Sequence, residues 1–575
     1  MLGQHSLRIR TVVAAVLAIC LAYPAVAQNP AGEPAGVRES APTIRGVLRN
    51  SDLVLDRLKT VLSLTSPEDQ KQYQTLKDFI EVFLIGVDRT KPVRMDVFTT
   101  DEETTYRLDI PVLKSDFADF WQLNLVPLGI PVQQYATQRN LFRLGGGPND
   151  AFTGYMLYAP NKRGGYATIA ETGKLLPAPG SPSPVKGVQT LLNTDFDAVI
   201  RLQNEPEGVE RRHARFAADK DEVLAELQRQ ANESEADFAL RKFAAGVQFD
   251  ETERIYAEAK NLIAGAAVTA DPARGRLEFT LEALPDTPLA DSIGLLGQEP
   301  SRFASVPVPE NATSTGRINF PLDEFRKQHF LAMSKKFREN ELAEAEAIEG
   351  ATAEQIAATK NFLNGLFDRL DAGIEAGVID AFMDMTQNEQ GVHTVVGGVV
   401  SPNAAEWVPV LELIAQLKDP PTFKKEIGKV GDISLHEIVF PEGKNPAFED
   451  LFGGRRLIIG AGGETVWYAA GPEADARIKA TIEAAEKPGE PSSTIVTFRG
   501  ELLPAFKILD RRQGEKGDVD LRARAIEAFQ NGQGQVELDV VRKGESVAGK
   551  MVVDGGVLRL IGASLAKMSR ENLAE

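Results

Sequence analysis

Between Arg94 and Val112 the chain reads RMDVFTTDEETTYRLDIPV. Apolar and polar positions alternate on either side of an acidic turn, with Tyr106, Leu108, Ile110 and Val112 on one face, which predicts a β-hairpin. A helix is then expected from Ser115, carrying Phe117, Phe120 and Trp121. The same order recurs over 264–297, where strands flank Asp271-Pro272, Leu277, Phe279 and Leu281 alternate, and a helix follows Asp286. It recurs again over 377–417, where Trp407, Leu411, Ile414 and Leu417 form a helical stripe.

An amphipathic helix is expected before each of these hairpins. The three run around Leu76 to Leu84, with Phe79, Ile80 and Phe83 on the same face, from Glu253 to Ile263, and from Glu354 to Leu370. Ser66-Pro67-Glu68 supplies a helix start, with a capping hydroxyl and proline at the first helical position. The repeating module is therefore helix, hairpin, helix. The fold class expected is α+β, in which such units form antiparallel sheets covered by helices. Two long, charged helical segments, Ala214 to Lys260 and Leu322 to Leu370, are read either as arms that grip a partner or as helices packed on the sheets.

Two glycine-rich stretches raise the question of phosphate binding. RRLIIGAGGETVWYAAG, from Arg455 to Gly471, lacks a third glycine at Thr465, and a strand rather than a helix follows its glycines. It reads as a hairpin turn over Gly460 to Glu464, followed by a helix with Ile478, Ile482 and Ala485 inward. GESVAGKM, from Gly544 to Met551, has P-loop spacing through Gly549 and Lys550, but Met551 replaces the hydroxyl that would hold magnesium. It too reads as a hairpin, between strands over 536–540 and 547–553, with a last helix from Val557 to Met568.

Other catalytic sets are incomplete. His213, His329, His393 and His436 are scattered, and Phe440 stands where a zinc-protease helix starting at His436 would need its second histidine. DISLHEIVF alternates as a strand. GASLA at 562–566 lacks the closing glycine of a nucleophile elbow. With 82 Asp and Glu, no carboxylate pair stands out, and Asp116 and Asp119 read as first-turn helix charges. Trp121 and Trp407 read as indoles closing a helix onto a sheet. No catalytic, cofactor-binding or metal-binding residue is assigned, and no cofactor is expected.

The N-terminus adds a destination. Arg8 and Arg10 precede the apolar run TVVAAVLAICLA and the small-residue site Ala25-Val26-Ala27, the pattern of a cleaved secretory signal. Its dozen apolar residues fall short of the roughly 20 that span a bilayer. Ile19 before Cys20 argues against lipidation at that residue. Cys20 is the only cysteine, so a mature chain lacks disulfides and thiolate sites, which favours a bacterial envelope. Net charge is -18, and loss of the signal would make it two units more negative. That surface repels nucleic acid, and no later stretch approaches membrane-spanning length.

Punctuation by proline, glycine and charge divides the chain as follows. A signal peptide covers 1–27 and a disordered tether 28–45. A first α+β unit covers 46–205, and a helical segment with the second hairpin and helix covers 206–320. A helical segment covers 321–375, the third and fourth hairpin-helix units 376–500, and a C-terminal hairpin-helix unit 501–575. In architecture alone, this arrangement resembles envelope proteins that enclose lipid between a curved sheet and helices. The function expected is that of an exported, soluble, periplasmic or extracellular bacterial protein, non-enzymatic, binding a protein partner or an apolar ligand. A carboxylate-dependent hydrolase of envelope carbohydrate and a structural spacer stay open as alternatives.

Overall fold

The computed structural model describes residues 42–573, apart from 100–103, 137, 147–151, 162–163, 179–183, 193, 230–232, 349, 488, 509–518 and 531–533. The signal peptide, Cys20 and residues 28–41 of the tether lie outside the described residues. The class is α+β, and every strand pairing with a described register is antiparallel.

The first ten strands are β1 (Ile44–Leu48), β2 (Val93–Thr99), β3 (Thr104–Val112), β4 (Val132–Gln134), β5 (Leu141–Leu144), β6 (Gly154–Asn161), β7 (Gly164–Ala170), β8 (Ala198–Gln203), β9 (Ala259–Ala270) and β10 (Ala273–Ala283). The next ten are β11 (Ala312–Pro321), β12 (Val378–Gln387), β13 (His393–Val400), β14 (Thr422–Val430), β15 (Ile433–Val439), β16 (Arg456–Gly462), β17 (Thr465–Ala470), β18 (Thr494–Glu501), β19 (Gln535–Lys543) and β20 (Ser546–Asp554).

Their pairings give one order twice. In the first half the neighbours run β4, β5, β6, β7, β3, β2, β1, β8, β9, β10. In the second half they run β14, β15, β16, β17, β13, β12, β11, β18, β19, β20. Each strand therefore has a counterpart ten places later. The hairpin of β2 and β3 corresponds to that of β12 and β13, and the hairpin of β9 and β10 to that of β19 and β20. What recurs is a ten-strand order occurring twice, with the hairpins of β2–β3 and β12–β13 at one place in it and those of β9–β10 and β19–β20 at another.

Eleven of the helices matter below. They are α1 (Asp52–Ser63), α2 (Gln72–Val82), α3 (Phe117–Asn124), α4 (Val209–Glu226), α5 (Glu235–Glu258), α6 (Pro288–Leu295), α7 (Glu324–Glu346), α8 (Ala353–Glu375), α9 (Pro446–Phe452), α10 (Ala474–Ala485) and α11 (Gly555–Leu573). Caps follow the sequence signals: Ser66 Oγ accepts the Asp69 N–H at 3.2 Å, and Thr352 with Gln355 closes a capping box at the start of α8. The helix expected from Glu253 to Ile263 stops at Glu258, and β9 begins at Ala259. The run Ala264-Gly265-Ala266-Ala267-Val268 has no helical stripe, and the strand it forms pairs with β8.

The chain forms two compact units that interleave in sequence. One holds the chain up to Glu205 with Lys260–Thr280 and Val552–Glu575; the other holds Pro206–Ala259 and Leu281–Met551. In the first unit, α11 packs on α1 and the turn after it. Arg559 Nε donates to the Leu64 carbonyl at 2.7 Å, and Arg570 meets Asp69 at 2.6 Å. α3 closes one face of β3, β7, β6 and β5, burying Val112, Phe120, Leu144 and Met156. In the second unit, α10 with Phe303 and Val306 covers one sheet face over Phe382, Ile458 and Trp467, while α9 covers part of the other through Leu451 and Phe452.

Candidate functional site

The central strands of the first unit reverse the usual disposition of a half-buried sheet, in which apolar side chains point inward. On β2 and β3 the buried face carries Arg94, Asp96, Arg107 and Asp109. Asp96, fully buried, accepts from Arg45 Nε at 2.8 Å and from Arg94 Nε at 2.8 Å. Asp109, also fully buried, meets Arg107 Nε at 3.2 Å and the Thr168 hydroxyl at 2.6 Å. Arg94 Nη1 donates to the Pro184 carbonyl at 3.1 Å, tying the ladder to the segment after β7.

Burial pushes the Asp96 carboxyl up, but Arg94 and Arg45 more than offset it and leave it below the ordinary carboxylate range. For Asp109 burial wins over Arg107 and Thr168, and its pKa is raised. A pair of carboxylates with divergent acidity invites a catalytic reading. Here every carboxylate is engaged by arginine or hydroxyl beneath covering chain, so the ladder reads as a polar core.

The opposite face of the same strands carries Ile44, Gly46 and Leu48 on β1, Val93, Met95 and Val97 on β2, and Tyr106, Leu108 and Ile110 on β3. It continues through Ile200 and Leu202 on β8 and Leu262, Ala264 and Ala266 on β9. Leu202 alone among these is buried; Ile200 is 50% exposed and the others are half-buried. α3 closes this face toward β7, and from β3 to β9 it stays half-open.

The second unit repeats the arrangement. Asp384 sits 1% exposed, held by Arg317 Nη1 and Nη2 at 2.8 Å each and by the Thr315 hydroxyl at 2.7 Å. Asp380 accepts from Ser301 and from the Arg302 N–H, both at 2.6 Å, and burial raises its pKa. The other face shows Gly316, Ile318 and Phe320 on β11, Ile379, Ala381 and Met383 on β12, Val399 on β13, Val496 and Phe498 on β18, and Val536, Leu538 and Val540 on β19. None of these is buried and none is fully exposed, but Met385 and Val395 on the same face are buried under α9, and Met383 packs against that cluster.

Glycines mark the centre of each open face. Gly46 lies opposite Met95 and Ile200, and Gly316 lies opposite Met383 and Phe498. Neither has a positive φ, and a Cβ added at either would meet nothing closer than 3.9 Å and 3.5 Å respectively. Packing and backbone geometry therefore do not require glycine there. A strand-interior glycine loses conformational entropy without compensation and often marks the close approach of another molecule.

The helices add incompletely buried apolar surface. α2 buries none of its residues: Leu76, Phe79 and Ile80 are half-buried and Val82 is 49% exposed. In the second unit α7 buries only Ser334 and Ala345, and Phe330 and Phe337, two turns apart, are 37% and 43% exposed.

The sequence-level candidates for chemistry are spent elsewhere. Gly460 and Gly462 lie within β16, and the turn is only Gly463 and Glu464, shorter than expected. A Cβ at Gly462 would stand 2.5 Å from the Asp432 carbonyl, so strand packing explains that glycine. Gly549 and Lys550 lie on β20, and Ser564 in α11 donates to the Leu560 carbonyl at 2.9 Å. Trp407 Nε1 donates to Ser401 at 2.8 Å, and Trp121 packs beside Phe142.

The histidines are held locally. His213 bridges Glu253 at 2.9 Å and Glu258 at 3.2 Å, and His329 meets Asp250 at 3.0 Å. His436, on β15 as its alternation predicts, is 1% exposed, and its Nδ1 accepts the Glu426 N–H at 3.2 Å. His393 is likewise buried. Among the described residues no group of three or more potential ligands could hold a metal ion, and no helix is long and apolar enough to cross a membrane. No protein-family model, curated protein or solved structure matches this chain.

Proposed function

We propose that this chain is an exported bacterial envelope protein that binds an apolar ligand on the half-open sheet face and performs no chemistry on it. The observation that carries the reading is that face: uncharged side chains over several adjacent strands, half-buried, with a glycine notch at its centre. Apolar surface of this extent on a soluble protein marks an interaction site. Its half-burial favours a slender molecule over a protein surface, which would need the side chains to project.

Apolar area withdrawn from water contributes about 25 cal/mol per Å², so a long hydrocarbon could be held without any polar anchor. Export rests on the N-terminal signal pattern, and the absence of chemistry on the engagement of Asp96, Asp109, Asp380, Asp384 and Ser564 within the fold. The test is binding of 1-N-phenylnaphthylamine, a neutral apolar fluorophore. Enhancement that saturates, and that Met383→Lys reduces in a folded chain, supports the reading; no enhancement rejects it.

A second reading has its own observation. Phe330 and Phe337 stand exposed two turns apart on α7, where a partner helix or strand could cover them. Phe330→Ser with Phe337→Ser would then abolish capture of a protein partner from the envelope and leave fluorophore binding intact.

A further inference from the structure

We infer that the chain carries two apolar sites of the same class, one in each ten-strand half, so that one chain binds two ligand molecules. This rests on the proposed function and adds the number, position and equivalence of the sites. The two halves share one strand order, and the open face falls on corresponding strands: β3, β2, β1, β8 and β9 in one, β13, β12, β11, β18 and β19 in the other.

Correspondence reaches single residues. Gly46 and Gly316 sit at the same place, each flanked by a methionine, Met95 or Met383, and by a large apolar residue, Ile200 or Phe498. The residue after each methionine is the buried aspartate of the opposite face, Asp96 or Asp384. Five strands at about 4.8 Å spacing make each face about 19 Å across, a strip suited to an extended hydrocarbon. The side chains named on both strips are uncharged, with Lys260 of β9 and Arg542 of β19 at their ends, and the flexible methionine beside each notch adapts to an irregular occupant. The ligand is therefore a neutral or weakly polar molecule with a long hydrocarbon portion.

The experiment is a stoichiometry. The full chain without its signal is titrated with 1-N-phenylnaphthylamine, and the complexes are counted by native mass spectrometry for the parent, Gly46→Leu, Gly316→Leu and the double variant. A Cβ meets nothing closer than 3.5 Å at either position, and thermal unfolding of each leucine variant, read beside its count, shows that the chain stays folded while the notch fills. Ile200→Gln and Phe498→Gln serve as a second pair should either leucine variant fail to fold.

The expected counts are two for the parent, one for each single variant and none for the double. A parent count of one, lost in only one single variant, overturns the inference and leaves the proposed function standing. A count of two that survives the double variant and the glutamine pair also overturns it. A parent count of zero, or a dimer free of fluorophore, overturns both.

Discussion

Met383 on β12 lies directly opposite Gly316 on β11, at the margin of the cluster that α9 closes through Leu451 and Phe452. Its neighbour Phe382 points the other way, 2% exposed against Phe303 and Trp467. Consecutive residues on one strand therefore have opposite environments.

That contrast predicts unequal substitutions. Phe382→Ala should cost about 3–5 kcal/mol, because it opens a cavity among aromatic rings. Met383→Ala should cost about 1 kcal/mol, because the side chain is only partly withdrawn from water. Urea unfolding of the two variants decides it, and equal losses would mean that the open face is a second core.

The buried ladder predicts a large effect from a small change. Asp96→Asn leaves Arg45 and Arg94 facing a neutral amide at a fully buried position, and should destabilise the first unit by about 3–5 kcal/mol. Replacing Arg45, which is less buried, should cost less. The folded pKa of Asp96 is depressed, so its contribution is present above the unfolded carboxylate value and is lost as pH falls through the lower folded value. The acid limb of the stability curve should therefore flatten in Asp96→Asn.

How much of this could be read from sequence depends on range. The hairpins of β2 with β3, β12 with β13 and β16 with β17 follow from alternation and turn residues, which act over a few positions. Alternation also groups Tyr106, Leu108 and Ile110, but it cannot say whether their face is covered, because cover comes from distant chain. Arg94, Asp96, Arg107 and Asp109 alternate with that set, and nothing in their local sequence marks them as buried, which they are. The pairings of β1 with β8 and of β3 with β7 bridge long insertions and leave no local mark. Nor does the twofold order: a glycine on β1 and β11 and a Met-Asp pair on β2 and β12 are too little to find without the registers. The general expectation of a bound partner or apolar ligand follows from the export signal and the lack of catalytic motifs, and the residues proposed for it follow only from the pairings.

Two histidines should respond to pH in opposite directions. Hydrogen bonding to Glu258, then to Glu253, raises the His213 pKa despite partial burial, so its stabilisation is complete below the unfolded histidine value and is lost as pH rises through the higher folded value. Burial lowers the pKa of His436, so stability falls as pH drops through the unfolded histidine value, where the unfolded chain takes up a proton that the folded one resists. His213→Ala should therefore destabilise more at pH 5.5 than at pH 8, and His436→Phe should reduce the loss on acidification. Thermal unfolding across that range separates the two.

The glycines of β16 and its turn should differ sharply. Gly462→Ala sets a methyl group against the Asp432 carbonyl and should cost about 1–3 kcal/mol. Gly463 has φ 57° and open space around it, so Gly463→Asn should be nearly neutral. Addition of nucleotide should leave the unfolding temperature of every variant unchanged, since the stretch is a hairpin; a rise would restore the phosphate reading.

The central claim, that the half-open face holds an apolar molecule, is tested most directly by native mass spectrometry with solvent extraction on the chain purified from a bacterial envelope. A reproducible apolar adduct that Gly46→Leu and Gly316→Leu together remove is the expected result. A chain that emerges empty under gentle conditions, and also fails to take up 1-N-phenylnaphthylamine, would contradict it.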